Sequence, residues 1–130
     1  MNWYRKAQDK ESINKEIDSL VKSLEAQYPG LELWVYFASG NFIELGQIRL
    51  PPEMQDKGIG HKVVKAIQEF AQRLGVPVVL RPEADPGKKK KLFDFYKELG
   101  FVHNKGRNRD YRLSTPFAPT MHWKPEGKVP

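Results

Sequence analysis

Ile13, Ile17, Leu20, Val21 and Leu24 return every three or four positions, which predicts an amphipathic helix with one apolar stripe. Tyr28, Pro29 and Gly30 end it. The period then becomes two. Leu31, Leu33, Val35 and Phe37 alternate with Glu32, Trp34 and Tyr36, the pattern of a strand with bulky residues on both faces. After Ser39, Gly40 and Asn41, a second strand from Phe42 to Leu50 completes a β-hairpin. Gly46 inside it marks a bulge or the close approach of a ligand. Pro51 and Pro52 end this strand. A loop over Glu53 to Lys57 opens a helix from Gly58 to Leu74, with Ile59, Val63, Ile67, Phe70, Ala71 and Leu74 on one face and Gly75 as its stop. Val76 to Leu80 reads as a short buried strand. It runs parallel to Phe42–Leu50, because a helix joins the two. Arg81 to Gly87 is a loop, and Lys88 to Leu99 a third helix with Leu92, Phe93, Tyr96 and Leu99 inward. Two further strands, Phe101–Leu113 and Thr120–Lys124, enclose a proline-containing loop from Ser114 to Pro119. Pro125 to Pro130 reads as a frayed tail. The order α-β-β-α-β-α-β-β predicts a mixed α/β fold, a twisted and partly antiparallel sheet flanked by helices, formed by one domain over residues 1–130.

Composition removes several chemistries. The chain has no cysteine, so a disulfide framework, a thiolate metal site and a thiol nucleophile are all excluded. His61, His103 and His122 lack metal-ligand spacing, and no metal is expected. No apolar run approaches the roughly 20 residues that span a bilayer, and Met1 to Lys6 begins no signal-peptide core. The expectation is a cytoplasmic protein with no membrane partner. Lysine and arginine number 22 against 16 acidic residues, a net charge of +6. That balance suits an anionic partner: a nucleotide cofactor, a nucleic acid or an acidic protein.

The informative stretch is Ile48 to His61. A strand enters a glycine-containing loop, and the loop opens a helix, leaving unpaired N–H groups and the positive end of a helix dipole for an anion. Gly58 and Gly60 let backbone approach it. A Walker loop needs Lys-Ser/Thr after its last glycine, and Gly60 is followed by His61 and Lys62. A dinucleotide fingerprint needs a third glycine where Val63 stands. Gln55, Asp56, Lys57, Gly58, Ile59 and Gly60, following Leu50 and Pro51, instead resemble the Gln/Arg-x-x-Gly-x-Gly/Ala loop of the GCN5-related N-acetyltransferases, the GNAT superfamily. A later run, Phe95-Tyr96-Lys97-Glu98-Leu99-Gly100-Phe101, is similar to that family's second motif, and the interval fits one helix, one strand and one loop. The resemblance covers about residues 42–124.

The resemblance implies transfer of an acetyl group from acetyl-coenzyme A to an amine. It places the pyrophosphate on the backbone of Gln55, Asp56, Lys57, Gly58, Ile59 and Gly60, with His61 or Lys62 adding a contact. It also implies that the two central parallel strands splay at a bulge, here Gly46, where the backbone of Ile48 and Leu50 binds the pantetheine arm and thioester. The attacking amine must lose a proton. Glu44, six residues before Leu50, matches the glutamate base of the histone-acetyltransferase branch. Its even spacing puts it on the face of Leu50 unless the bulge changes the register, and an apolar wall would suit a base there. The oxyanion needs a backbone N–H, that of Leu50. Tyr96 matches the tyrosine that serves the leaving thiolate as acid.

Two departures accompany the match. Lys89 stands where many members carry an asparagine. One helix and one strand precede Phe42–Leu50 where the family usually has more, which leaves the acceptor groove open, completed by a second copy in a homodimer, or lost. Loss would leave an inactive binding module whose basic face, with Lys88 to Lys91, holds nucleic acid or a protein. Nucleic acid is the less favoured partner, since a solvated helix start explains the lysines as well. The amine acceptor is open at this stage.

Overall fold

The structure, a computed structural model, describes residues 10–38, 41–55, 57–83, 87–113 and 120–126. Helix α1 (Lys10–Gln27) precedes strands β1 (Glu32–Ala38) and β2 (Phe42–Arg49). A 3-10 turn at Pro52–Met54 leads to α2 (Ile59–Leu74), β3 (Val78–Leu80), α3 (Lys89–Glu98), β4 (Val102–His103) and β5 (Met121–Trp123). The five strands form one sheet in the order β1-β2-β3-β5-β4. Among the described residues, only the β2–β3 pair is parallel. This is the mixed, partly antiparallel sheet with flanking helices that the sequence predicts.

The buried residues of all three helices join one cluster with one face of the sheet, the face of Leu33, Val35, Phe37, Ile43, Leu45, Val78, Leu80 and Met121. Ile17, Ile43, Ile67 and Phe101 are essentially fully buried, each contributing roughly 1.5–3 kcal/mol by removing apolar area from water. Val79, alternating with the core-facing Val78 and Leu80, is buried on the opposite face, and Leu113 is buried outside that cluster. The expectation of bulky residues on both faces of β1 holds, but its two faces differ: odd positions are core, while Trp34 and Tyr36 are 69% and 44% exposed. The outer edge of β1 is blunted against pairing with another strand. Its Leu33 and Phe37 N–H groups donate to Glu25 Oε2 and Asn14 Oδ1 of α1 at 3.3 and 2.9 Å.

The expected strand Phe101–Leu113 is a correction. Pairing stops after His103, and two 3-10 turns follow, Gly106–Asn108 and Tyr111–Leu113. The buried Asn104 side chain causes this. It donates to the Asp110 carbonyl (3.0 Å) and to Thr120 Oγ1 (3.1 Å), and its Oδ1 accepts the Asp110 N–H (2.7 Å). These bonds fold the chain back on itself before a ladder can extend. The Ser114–Pro119 loop lies outside the described residues. Of the expected tail, Pro125 is buried and Glu126 is held by two hydrogen bonds to Gln72 (2.9 and 3.0 Å).

Asp110 anchors this loop. Its carboxylate accepts from Arg112 and pairs with Lys124 at 3.0 Å. Chiefly the Arg112 bonds, helped by Lys124, hold the carboxyl well below the usual carboxylate range despite its burial. A carboxyl depressed in the fold binds fewer protons folded than unfolded. Its contribution is therefore full above about pH 5 and is lost as pH falls through about 4 and below. Asp110→Asn is expected to cost about 1–3 kcal/mol at pH 7. In denaturant titrations, the gap to wild type should narrow steadily below pH 4.

Candidate functional site

The hairpin register identifies Gly46 as a bulge. Trp34 pairs with Gln47 and Val35 with Leu45, so Gly46 has no partner in β1. A Cβ at Gly46 would meet nothing closer than the Trp34 carbonyl oxygen at 3.6 Å. The bulge is thus present, and no protein group crowds the residue.

One extra residue reverses both alternations of β2. Before the bulge, odd residues turn their backbone to β3, as the Ile43 N–H does in donating to the Pro77 carbonyl at 2.9 Å. The parallel register runs from Ile43–Val78 to Leu45–Leu80 and goes no further. After the bulge, Gln47 and Arg49 pair with Trp34 and Glu32 of β1. The outward N–H groups of Leu33 and Phe37 show that even positions of β1 bond to β2. The backbone of Ile48 therefore faces away from β1, into the gap that opens beyond Leu45 and Leu80. Its side chain turns to the core, as does that of Leu50. The bulge does change the register, so Glu44 and Leu50 lie on opposite faces despite their even spacing.

The gap leads to the start of α2. Leu50 ends its strand against Pro51, and its carbonyl accepts from Gln55 Nε2 at 3.0 Å, which folds the loop back on the strand end. Met54 N–H closes the 3-10 turn on Pro51 at 2.9 Å. Gly58 caps α2 in the left-handed region (φ 78°), and a Cβ there would meet nothing within 4 Å. Glycine at 58 is thus favoured by backbone conformation and leaves open space in front of the helix. Lys62 N–H makes the first intrahelical bond, to Gly58 O at 3.2 Å. The N–H groups of Ile59, Gly60 and His61 precede it and have no helical acceptor. Gly60 is glycine for another reason: a Cβ would lie 3.1 Å from Phe95 Cζ and 3.7 Å from Leu50 Cδ1. Strand end, helix start and α3 converge there. Asp56 lies outside the described residues, and Lys57 is exposed. The His61 ring turns away to α3, 2.9 Å from Glu98 Oε1 and edge-on to Phe95, so only its backbone faces the loop.

Tyr96 is buried in the helix-side cluster, with edge contacts to Phe95 and Phe101. Burial pushes its phenol up to about 12. Among the described residues its hydroxyl has no hydrogen-bond partner. Glu44 stands on the other face of the sheet, in a row with Tyr36, Val79 and His122. Its side chain, 15% exposed, is flanked in register by Tyr36 and the buried Val79. Its carboxylate lies 3.7 Å from Arg81 Nη2, beside Tyr36, whose pKa is raised by burial and by the nearby Glu44 carboxylate. Glu44 and Tyr96 therefore lie on opposite faces of the sheet. Sequence reasoning missed Tyr36 and Arg81. Tyr36 was within reach, because the hairpin is symmetric about residue 40 and sets it opposite Glu44. Arg81 was not, since its place depends on the parallel register.

Lys89, at the asparagine position, extends over the Phe93 ring, and Lys90 pairs with Asp94 at 2.8 Å. A separate cavity of about 230 Å³, lined by residues including Arg107, Arg109, His122 and Lys124, lies at the far end of β5, away from the gap. Among the described residues, no helix is long and apolar enough to cross a membrane.

The comparisons agree with this fold. The sequence model described as "Acetyltransferase (GNAT) family" matches residues 23–101, more than half of the chain. The crystal structure of the anti-CRISPR protein AcrVA5 superposes with a TM-score of 0.54 at 18% identity, over 73% of this chain and 90% of that one. Ard1 from Thermoplasma volcanium gives 0.53 at 16% identity, over 92% and 93%. At these identities the likeness is one of fold. No curated protein matches the sequence at a significant level. On the extent of the family match, with the fold in agreement, the chain belongs to the GNAT acetyltransferase family.

Proposed function

We propose that the protein transfers an acetyl group from acetyl-coenzyme A to a primary amine, by direct attack in a ternary complex. The observation that carries this reading is the Gly46 bulge, which turns the Ile48 backbone into a gap beside the free N–H groups of α2. In this reading the N–H groups of Lys57 to His61 hold the pyrophosphate. The edge of β2 at Ile48 and Leu50 takes the pantetheine amides as an added strand would. The Leu50 N–H faces the developing oxyanion. Asp56 belongs to the same loop.

The amine approaches from the Glu44 face. Arriving as an ammonium, it gives one proton to that carboxylate, and the freed nitrogen lone pair forms the new bond to the thioester carbon. The carbon–sulfur bond breaks toward the Tyr96 face, and the second nitrogen proton leaves with the sulfur, giving an amide and a thiol. Base and leaving-group partner on opposite sheet faces suit a tetrahedral centre with incoming and outgoing groups on different sides. A phenol at about 12 does not hand its proton outright to a thiolate whose conjugate acid lies near 8.5. Tyr96 acts instead as a hydrogen-bond donor that stabilises the sulfur charge as it forms.

The nucleic-acid alternative gains little support, since Lys89 and Lys90 already have partners within α3. Release of coenzyme A from acetyl-coenzyme A, measured against a panel of amines, tests the transferase reading. Amine-dependent release supports it, and a folded protein that binds the donor but acylates nothing opposes it. Tyr96→Phe is expected to lower kcat by ~10–100-fold, the value of a hydrogen bond to a charged group. Its melting temperature should stay within a few degrees of wild type, because no described partner of the hydroxyl is lost.

A further inference from the structure

The surroundings of Glu44 restrict which amines suit it, an inference that rests on the transferase reading. The carboxylate is already matched by Arg81 Nη2 at 3.7 Å, longer than the 2.7–2.9 Å of a tight charge-assisted bond. The pair is loose, and the guanidinium side chain is 43% exposed. A simple alkylammonium that took Glu44 would set a second positive charge beside Arg81, which repels it. A zwitterion offsets that repulsion. Its ammonium meets Glu44 while its carboxylate meets Arg81, so every charge keeps a partner. The short separation between Glu44 and Arg81 suits a molecule whose ammonium and carboxylate sit on one carbon.

Beside this pair, Trp34 and Tyr36 project from the same face of β1 and expose two large aromatic rings in succession. Surface aromatics of that size next to a charged site offer an apolar side chain a wall to lie on. We propose that the acceptor is a free α-amino acid with a large apolar side chain, its ammonium bound by Glu44, its carboxylate by Arg81 and its side chain by Trp34 and Tyr36. Arg81 is then the residue that sets specificity. The reaction remains that proposed above: the α-nitrogen forms the amide bond, the thioester carbon–sulfur bond breaks, and coenzyme A leaves as the thiol, with one proton passing through Glu44 to solvent.

The test compares L-phenylalanine with phenethylamine, which differs only in lacking the carboxylate, and with glycine, which lacks the side chain. Coenzyme A release is read for wild type and Arg81→Gln, alongside calorimetric binding of acetyl-coenzyme A. Wild type is expected to prefer L-phenylalanine by at least ~10-fold in kcat/KM, to phenethylamine by the value of one charge-assisted contact and to glycine by that of a buried apolar side chain. Arg81→Gln should bring L-phenylalanine and phenethylamine within ~2-fold of each other, through KM for the amino acid, with acetyl-coenzyme A affinity unchanged. Equal use of phenethylamine by wild type, or a preference that survives in Arg81→Gln, overturns the proposal, and equal use of glycine overturns its side-chain half. A wild type that binds acetyl-coenzyme A but turns over none of the three also overturns it. Failure to bind acetyl-coenzyme A at all would instead bring down the transferase reading beneath it.

Discussion

Replacing Glu44 by glutamine is expected to lower kcat by ~10²–10⁴-fold, the range a positioned general base supplies, and to leave the affinity for acetyl-coenzyme A unchanged. The split follows from position. Glu44 lies on the sheet face opposite the core cluster, before the bulge, whereas the donor-binding groups lie after it. Glutamine keeps the size of the side chain, so the loss reads the missing proton acceptor and not a collapsed strand. The Arg81 contact changes character with it, since a guanidinium beside a neutral amide has no charge to match. Steady-state rates with saturating donor, set beside calorimetry, separate the two quantities. A fall in kcat of less than ~3-fold would remove Glu44 from the chemistry, because even a water-relayed base contributes more than that.

The second large effect concerns Gly58. An aspartate there is expected to weaken acetyl-coenzyme A binding by ~10–1,000-fold, and an asparagine by less than ~5-fold. Both side chains tolerate the left-handed backbone better than other non-glycine residues. Both would project into space where nothing lies within 4 Å. The fold is therefore retained, and a carboxylate also suits the start of α2 electrostatically. What the aspartate adds is a negative charge in front of the N–H groups proposed to hold a pyrophosphate. Like charges about 4 Å apart repel by roughly 1–4 kcal/mol across the dielectric range of a protein surface. The paired variants isolate charge from strain. Gly60 is unsuitable for this purpose, since any Cβ there must displace the Phe95 ring. Equal, small effects from both variants at 58 would mean that no anion binds at this helix start.

How much of this was legible beforehand depended on whether the deciding contacts were local. The hairpin, the bulge and both helices around the glycine loop followed from residues close together: the alternation of Leu31 to Phe37, one glycine inside Phe42–Leu50, and the apolar face of Ile59 to Leu74. The GNAT resemblance rested on two such local motifs, and the family match bears it out. The strand expected over Phe101–Leu113 failed because Asn104 bonds across six residues to Asp110 and across sixteen to Thr120. Nothing in the alternation of that stretch announces a buried amide that closes a loop. The facing of Glu44 was half legible. Its spacing from Leu50 was even, and only the paired register reveals that the bulge reverses it. Arg81 reaches Glu44 through the parallel β2–β3 pairing, which no short-range pattern encodes. His61 stood in the right helical turn but is drawn to Glu98, a partner thirty-seven residues away.

The central claim is that the donor lies along the freed edge of β2 and against the start of α2. The most direct measurement is a titration of ¹⁵N-labelled protein with acetyl-coenzyme A, followed by amide chemical shifts. The account expects the largest changes at Ile48, Leu50 and Lys57 to His61, with the amides of Arg107 to Arg109 unmoved. Changes confined to the cavity at the far end of β5, or none at millimolar donor, would contradict it.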